Sequence, residues 1–321
     1  MSNLDTHPAV RECGGRTDVT ASPVRDLLTG RNVPLGESTV VRRLLPSLGR
    51  RMVGAWCFVD HYGPDDIADE PGMQVPPHPH TGLQTVSWLR EGHVLHNDSL
   101  GSRQVLTPGT LGLMTSGAGI AHSEQSPKDH APMLHGAQLW VALPESDRHT
   151  APRWDFHDDL PVDTGSGVTT HIILGEFAGL RSPGHTFTPL VGAQLDLAAG
   201  ASTNLPLEPD FEYAALAIAG RVDVDGVPVE PGSLLYLGSG RNRLPVEADH
   251  DGSIMLLGGE PFEEKIVMWW NFIGRTGEEI KQFRNDWETG QRFPAVTGYD
   301  GPALTAPALP DLPLKARGRQ R

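Results

Sequence analysis

Two stretches of this chain repeat one another in order, and the repetition constrains the fold more than any single motif. Glu91-Gly92-His93-Val94-Leu95-His96-Asn97-Asp98 resembles Ala219-Gly220-Arg221-Val222-Asp223-Val224-Asp225-Gly226. Downstream, Pro108-Gly109-Thr110-Leu111-Gly112-Leu113-Met114-Thr115-Ser116-Gly117 resembles Pro231-Gly232-Ser233-Leu234-Leu235-Tyr236-Leu237-Gly238-Ser239-Gly240. Each half runs strand, Gly turn, strand, Pro-Gly turn and apolar strand, which is the pattern of a duplicated β unit. With 37 Gly and 28 Pro in 321 residues, short strands and tight turns are favoured over long helices. The predicted fold class is therefore all-β, with two barrels at residues 36–150 and 151–295 and enough chain for two independent apolar cores.

Outside the barrels the sequence predicts less order. Residues 1–35 are polar and broken by Gly and Pro, and read as a loose arm or edge strand. Residues 296–321 read as a solvated tail with a basic end, Lys315-Ala316-Arg317-Gly318-Arg319-Gln320-Arg321. A single helix is expected near 277–289. Thr276 and Glu279 have capping-box spacing, Ile280, Phe283 and Trp287 share one face, and Gly290 supplies a left-handed stop.

Charge and composition narrow the class of partner. The net charge of -14 repels phosphate backbones, so direct binding of nucleic acid is not expected. No apolar run is long enough to span a bilayer, and the opening MSNLDTHPAV has neither a basic region nor an apolar one. Cys13 and Cys57 form no C-x-x-C pair and no disulfide framework. A cytoplasmic protein that does not touch membranes is the expectation.

The chemistry lies in two short motifs of the first half. His78-Pro79-His80 places imidazoles at i and i+2, which in a strand point to the same face. Gly119-Ile120-Ala121-His122-Ser123-Glu124 offers a second such pair, an imidazole and a carboxylate. Neighbouring strands of a barrel bring the pairs together. Three imidazoles and a carboxylate suit Fe, Mn, Ni, Cu or Zn and suit Ca or Mg poorly. In the second half, alignment of the repeats puts Pro206 and Glu208 at the positions of His78 and His80, and Arg241-Asn242-Arg243 replaces the His-x-Glu pair. The second barrel is accordingly expected to hold no metal. His93, His96 and His135 are read as hydrogen-bonded residues near the site, and His61 as a loop residue.

These residues resemble those of the pirin family, from about Val41 to Phe293. The markers are Phe58-Val59-Asp60-His61-Tyr62-Gly63-Pro64, His78-Pro79-His80-Thr81-Gly82-Leu83-Gln84-Thr85-Val86, and Met114-Thr115-Ser116-Gly117-Ala118-Gly119-Ile120-Ala121-His122-Ser123-Glu124. To these are added His135-Gly136-Ala137-Gln138-Leu139-Trp140-Val141, Gly259-Glu260-Pro261-Phe262 and Met268-Trp269-Trp270-Asn271-Phe272. The resemblance implies two cupin barrels, which are double-stranded β-helices of jelly-roll type, with a short C-terminal helix. It also implies an N-terminal cupin that holds Fe(2+) through His78, His80, His122 and Glu124, beside a metal-free C-terminal cupin.

Similar proteins fall into two functional classes. In one, a redox-sensitive regulator of metabolism contacts a metabolic enzyme or a transcription factor. In the other, a quercetin 2,3-dioxygenase takes a flavonol and O2, and Glu124 acts as the catalytic base on the flavonol hydroxyl. The departure from the family pattern is Gln84, where a Glu is usual. Loss of that acid beside the site tilts the expectation toward the regulator.

Overall fold

In the computed structural model, residues 11–13, 23–35, 39–311 and 314–316 are described. The first ten residues and most of the basic end, 317–321, lie outside them. Two lobes of antiparallel strands follow one plan. In the first, a seven-stranded sheet runs Arg153–His157, Leu111–Thr115, Leu83–Glu91, Met133–Ala142, Trp56–Asp66, Thr39–Leu45 and Arg31–Leu35. It packs over a four-stranded sheet ordered Gln74–His80, Ile120–Gln125, Val94–Asp98 and Arg103–Leu106. In the second lobe the matching four-stranded sheet is ordered Ala201–Pro206, Arg243–Ala248, Val222–Val224 and Val227–Val229. The repeated segments thus occupy equivalent strands of two jelly-roll barrels.

The lobes are not independent bodies. The largest apolar cluster joins Trp56, Phe58, Val86, Leu111 and Leu139 of the first lobe to Leu174, Leu190, Leu216, Leu234 and Leu257 of the second. The large sheets pack face to face there, which buries on both lobes the side that would otherwise meet water. Trp56 is fully buried at this seam, and its Nε1 donates to the carbonyls of Val191 (3.0 Å) and Gly258 (3.1 Å). A second cluster, around Val191, Leu195, Leu205, Leu244 and Val246, fills the interior of the second barrel alone.

Chain ends cross between the lobes. Strand Asp26–Thr29, within the expected arm, pairs with Ser233–Gly238 of the second lobe. Strand Arg153–His157, just past the expected boundary at 150, pairs with Leu111–Thr115 of the first. After Gly259 the chain returns to the first lobe, where strands Ile266–Trp269 and Phe272–Gly274 and the helix form a cap. Thr276 and Glu279 close the capping box, Ile280 and Phe283 are buried, and Gly290 adopts φ +66°, as the sequence indicates. The helix spans Gly277–Glu288.

Part of the expected tail packs on this cap. Ala306 is buried, Trp287 Nε1 donates to the Leu304 carbonyl (2.7 Å), and the Arg284 guanidinium donates to the Pro307 carbonyl (2.6 Å). Backbone polar groups that look free in a Pro/Ala-rich stretch are thereby satisfied. Among the described residues no helix is long and apolar enough to cross a membrane.

Candidate metal centre

His78 and His80 lie at the end of strand Gln74–His80, and His122 lies on the adjacent strand, with His122 opposite His78. Strand alternation turns all three inward, and each is fully buried. One ring nitrogen from each lies within 4.8 Å of the others. The centroid separations are 4.4 Å for His78–His122 and 5.0 Å for both His78–His80 and His80–His122.

Hydrogen bonds fix which nitrogen of each ring carries the proton. The His78 Nδ1–H donates to the Pro76 carbonyl (2.8 Å), and the His80 Nδ1–H donates to the Asn271 carbonyl (3.1 Å). A carbonyl can only accept, so both Nε2 atoms carry lone pairs. For His122 the choice is made two steps away. Asp98 accepts from His96 Nε2 (3.1 Å), which leaves His96 Nδ1 as the acceptor for His122 Nδ1–H (3.4 Å). The Trp154 ring stacks on His96 at 3.7 Å and holds it in place.

All three Nε2 lone pairs therefore face one point. His78 Nε2 is buried without a partner among the described residues, while the Nε2 atoms of His80 and His122 stand 3.1 Å apart. Two lone pairs at that distance repel unless a cation lies between them. Burial pulls the His78 pKa down to about 4, although the Pro76 carbonyl and the Glu124 carboxylate oppose it. Burial also takes His80 and His122 well below the ordinary histidine value. Neutral imidazoles are the ligating form, so donor type, protonation and direction all fit a transition-metal ion.

Glu124, the fourth expected ligand, lies outside the three-nitrogen cluster but inside the same barrel. It is buried two residues beyond His122, and its Oε1 lies 3.1 Å from Ser87 Oγ, whose single proton is shared between it and Gln138 Oε1 (2.9 Å). A register shift between His122 and Glu124 sets the carboxylate apart from the imidazole rung.

Gln84 is placed differently from its expected role beside the site. It lies on the opposite face of strand Leu83–Glu91 from Ser87, where Nε2 donates to Thr115 Oγ1 (3.0 Å) and to the His185 carbonyl of the second lobe (3.0 Å). A carboxylate there could not donate to that carbonyl. Gln84→Glu is expected to cost about 1–3 kcal/mol in urea unfolding while leaving metal content unchanged. Metal loss in that variant would contradict the placement.

The second lobe carries apolar side chains at the equivalent rung. Leu205 pairs with Leu244 as His78 pairs with His122, and Leu205, Leu207, Leu244 and Val246 all point into the barrel. The sequence alignment puts Pro206 and Glu208 at these places, but both face outward and are exposed. A slip of one residue moves every side chain to the other face of a strand.

His61 is likewise not in a loop. It is buried on strand Trp56–Asp66, with Nε2 3.0 Å from Nε2 of His135. Burial, then the charge of His135 and that of Arg42, lowers His61 to about 3. Burial and then Arg90 lower His135 to about 4.

These depressed histidines give the metal-free protein a defined acid response. An unfolded histidine titrates near pH 6.5, well above the folded values, so the unfolded chain binds more protons as pH falls. Stability is full above about 6.5 and is lost toward pH 4, at about 1.4 kcal/mol per pH unit for each such group. Thermal unfolding across that range checks it, and a flat profile would contradict it.

Asp98 and Asn271, which set ring tautomers, and Trp154, which stacks on His96, were not legible as functional. His96 and Asp98 do share a strand face at i and i+2, a spacing that links them to the ligand strand. An Asp98→Asn amide accepts from the same backbone N–H groups with its oxygen and turns an N–H toward His96. That reverses the chain and puts a proton on His122 Nε2. Metal affinity in competition with a chelator is expected to fall about 10–100-fold.

Comparison with known proteins places the chain in a family. The family model described as Pirin matches residues 38–141, and the Pirin C-terminal cupin domain matches residues 192–294. The chain belongs to the pirin family. It is 44% identical over 286 residues to a relative from Pseudomonas aeruginosa that is provisionally named a quercetin 2,3-dioxygenase, covering 88% of this chain and 90% of the relative. It is 35% identical over 234 residues to mouse pirin, covering 70% of this chain and 78% of that one. The crystal structure of quercetin 2,3-dioxygenase from Acinetobacter baumannii superposes with a TM-score of 0.87 at 40% identity, over 90% of this chain and 96% of that chain.

Proposed function

We propose that this pirin-family protein is an Fe(II)-dependent dioxygenase that cleaves flavonols of the quercetin type. The observation that carries the reading is the convergence of three buried, tautomer-locked Nε2 atoms in a barrel that also buries the Glu124 carboxylate. Relatives named for this activity, at 40% and 44% identity, support it. The sequence argument against catalysis loses its basis, because Gln84 faces the second lobe rather than the site.

In this reading His78, His80 and His122 hold the ion, which supplies Lewis-acid and one-electron chemistry when bound. Glu124 takes the proton of the flavonol 3-hydroxyl, and Ser87 Oγ keeps its Oε1 aimed while Gln138 fixes the serine. The Trp140 ring, edge-on to His80 at 5.1 Å, helps keep water from the reacting ring. Iron-loaded protein mixed with quercetin under air is expected to consume O2 and bleach the flavonol. Bleaching no faster than the His122→Ala control would sink the proposal.

A second reading, a redox-sensitive regulator in the cytoplasm, draws on the bond from His80 Nδ1 to the Asn271 carbonyl. That bond ties a ligand ring directly to the C-terminal cap. A one-unit change of charge at the ion could alter the cap as a surface for a metabolic enzyme or transcription factor. Affinity capture from reduced and oxidised extracts should then return different partners, and identical captures would count against it.

A further inference from the structure

The second lobe, apolar where the first has its ligands, carries a separate cavity of about 840 Å³ on its surface. Its walls include Phe177, Phe187, Phe211 and Tyr213, and Glu208 and Glu260 stand at the rim. We propose that this cavity is a second binding site, taking a small organic cation carried on an aromatic ring.

The cavity wall is held in shape before any ligand arrives. The loop through residues 182–188 is tied by Ser182 Oγ, which donates to the Ile173 carbonyl (2.8 Å), and by Gln84 Nε2, which donates to the His185 carbonyl. Tyr213 is almost fully buried, and its oxygen accepts from the Glu208 N–H (3.0 Å), which leaves its own O–H free to donate. Thr188 Oγ1, also on the wall, is buried without a partner among the described residues. A preformed cavity that sets aromatic rings beside unsatisfied polar groups has the features of a small-molecule site.

Charge selects the class of ligand. The cationic side chain on the wall, Arg181, is already paired with Glu176 at 2.6 Å. Glu208 and Glu260 make no ion pair among the described residues, so the rim is left negative. Aromatic faces beside uncompensated carboxylates attract a cation and repel an anion. The threonine and tyrosine hydroxyls can hydrogen-bond a polar group on the ring.

Three probes of one skeleton separate charge from shape: phenethylammonium, 2-phenylethanol and phenylacetate, titrated calorimetrically into the full chain. The amine is expected to bind at least about tenfold more tightly than the alcohol, and phenylacetate least of all. The exposed double substitution Glu208→Gln/Glu260→Gln should bring the amine down to the affinity of the alcohol. Phe187→Ala should weaken both. The His122→Ala chain should bind the amine unchanged, which separates this site from the imidazole cluster. The proposal is overturned if no probe binds, if phenylacetate binds as well as the amine, if the double substitution leaves the amine unmoved, or if His122→Ala abolishes binding.

Discussion

Trp56→Ala is expected to destabilise the protein by about 3–5 kcal/mol, the range for deleting a large aromatic side chain from a packed core. The side chain is fully buried, and it bridges the lobes through two hydrogen bonds to second-lobe carbonyls. Its removal leaves a cavity in the shared seam and two carbonyls without their donor, so both costs fall on the contact between lobes. Equilibrium denaturation followed by far-ultraviolet circular dichroism should show the midpoint shift in one transition. Two separated transitions, with only one of them moved, would show instead that each lobe is stable on its own core.

Glu124→Gln should lower flavonol turnover by about 10²–10⁴-fold while leaving the metal in place, because an amide cannot take the substrate proton. The amide keeps the size of the carboxylate and can still accept from Ser87 Oγ. Loss of folding is therefore not the expected cause of lost activity. Turnover number and metal content measured on the same sample separate the two roles given to Glu124. If metal and activity disappear together, its main role is as a ligand. If neither changes, it is neither base nor ligand.

Much of this architecture was legible because it follows from short-range rules. Two strand-turn-strand units in the same order gave the duplicated barrel, and the i, i+2 pairs at His78/His80 and His122/Glu124 gave three convergent imidazoles. The capping box at Thr276 and Glu279 gave the helix.

What escaped was set by long-range packing. Alternating strands do not say which face meets a second lobe, so Gln84 read as an acid lost from the site although it lies on the other side of its strand. Unequal loops in the two halves displaced the alignment by one residue, which put outward-facing Pro206 and Glu208 where inward-facing Leu205 and Leu207 stand. The segment around Leu304 and Ala306 has the composition of a solvated tail. Its order comes from Arg284 and Trp287, which donate to its carbonyls from a helix some twenty positions earlier in the chain.

The central claim is that His78, His80 and His122 hold a transition-metal ion. Its most direct test is elemental analysis of the anaerobically purified full chain beside its His122→Ala variant, with folding of both checked by circular dichroism. The expected result is about one ion per chain, predominantly iron, in the parent protein and a small fraction of that in the folded variant. No transition metal in the parent, even after anaerobic incubation with Fe(II), or full retention in the variant, would contradict the claim.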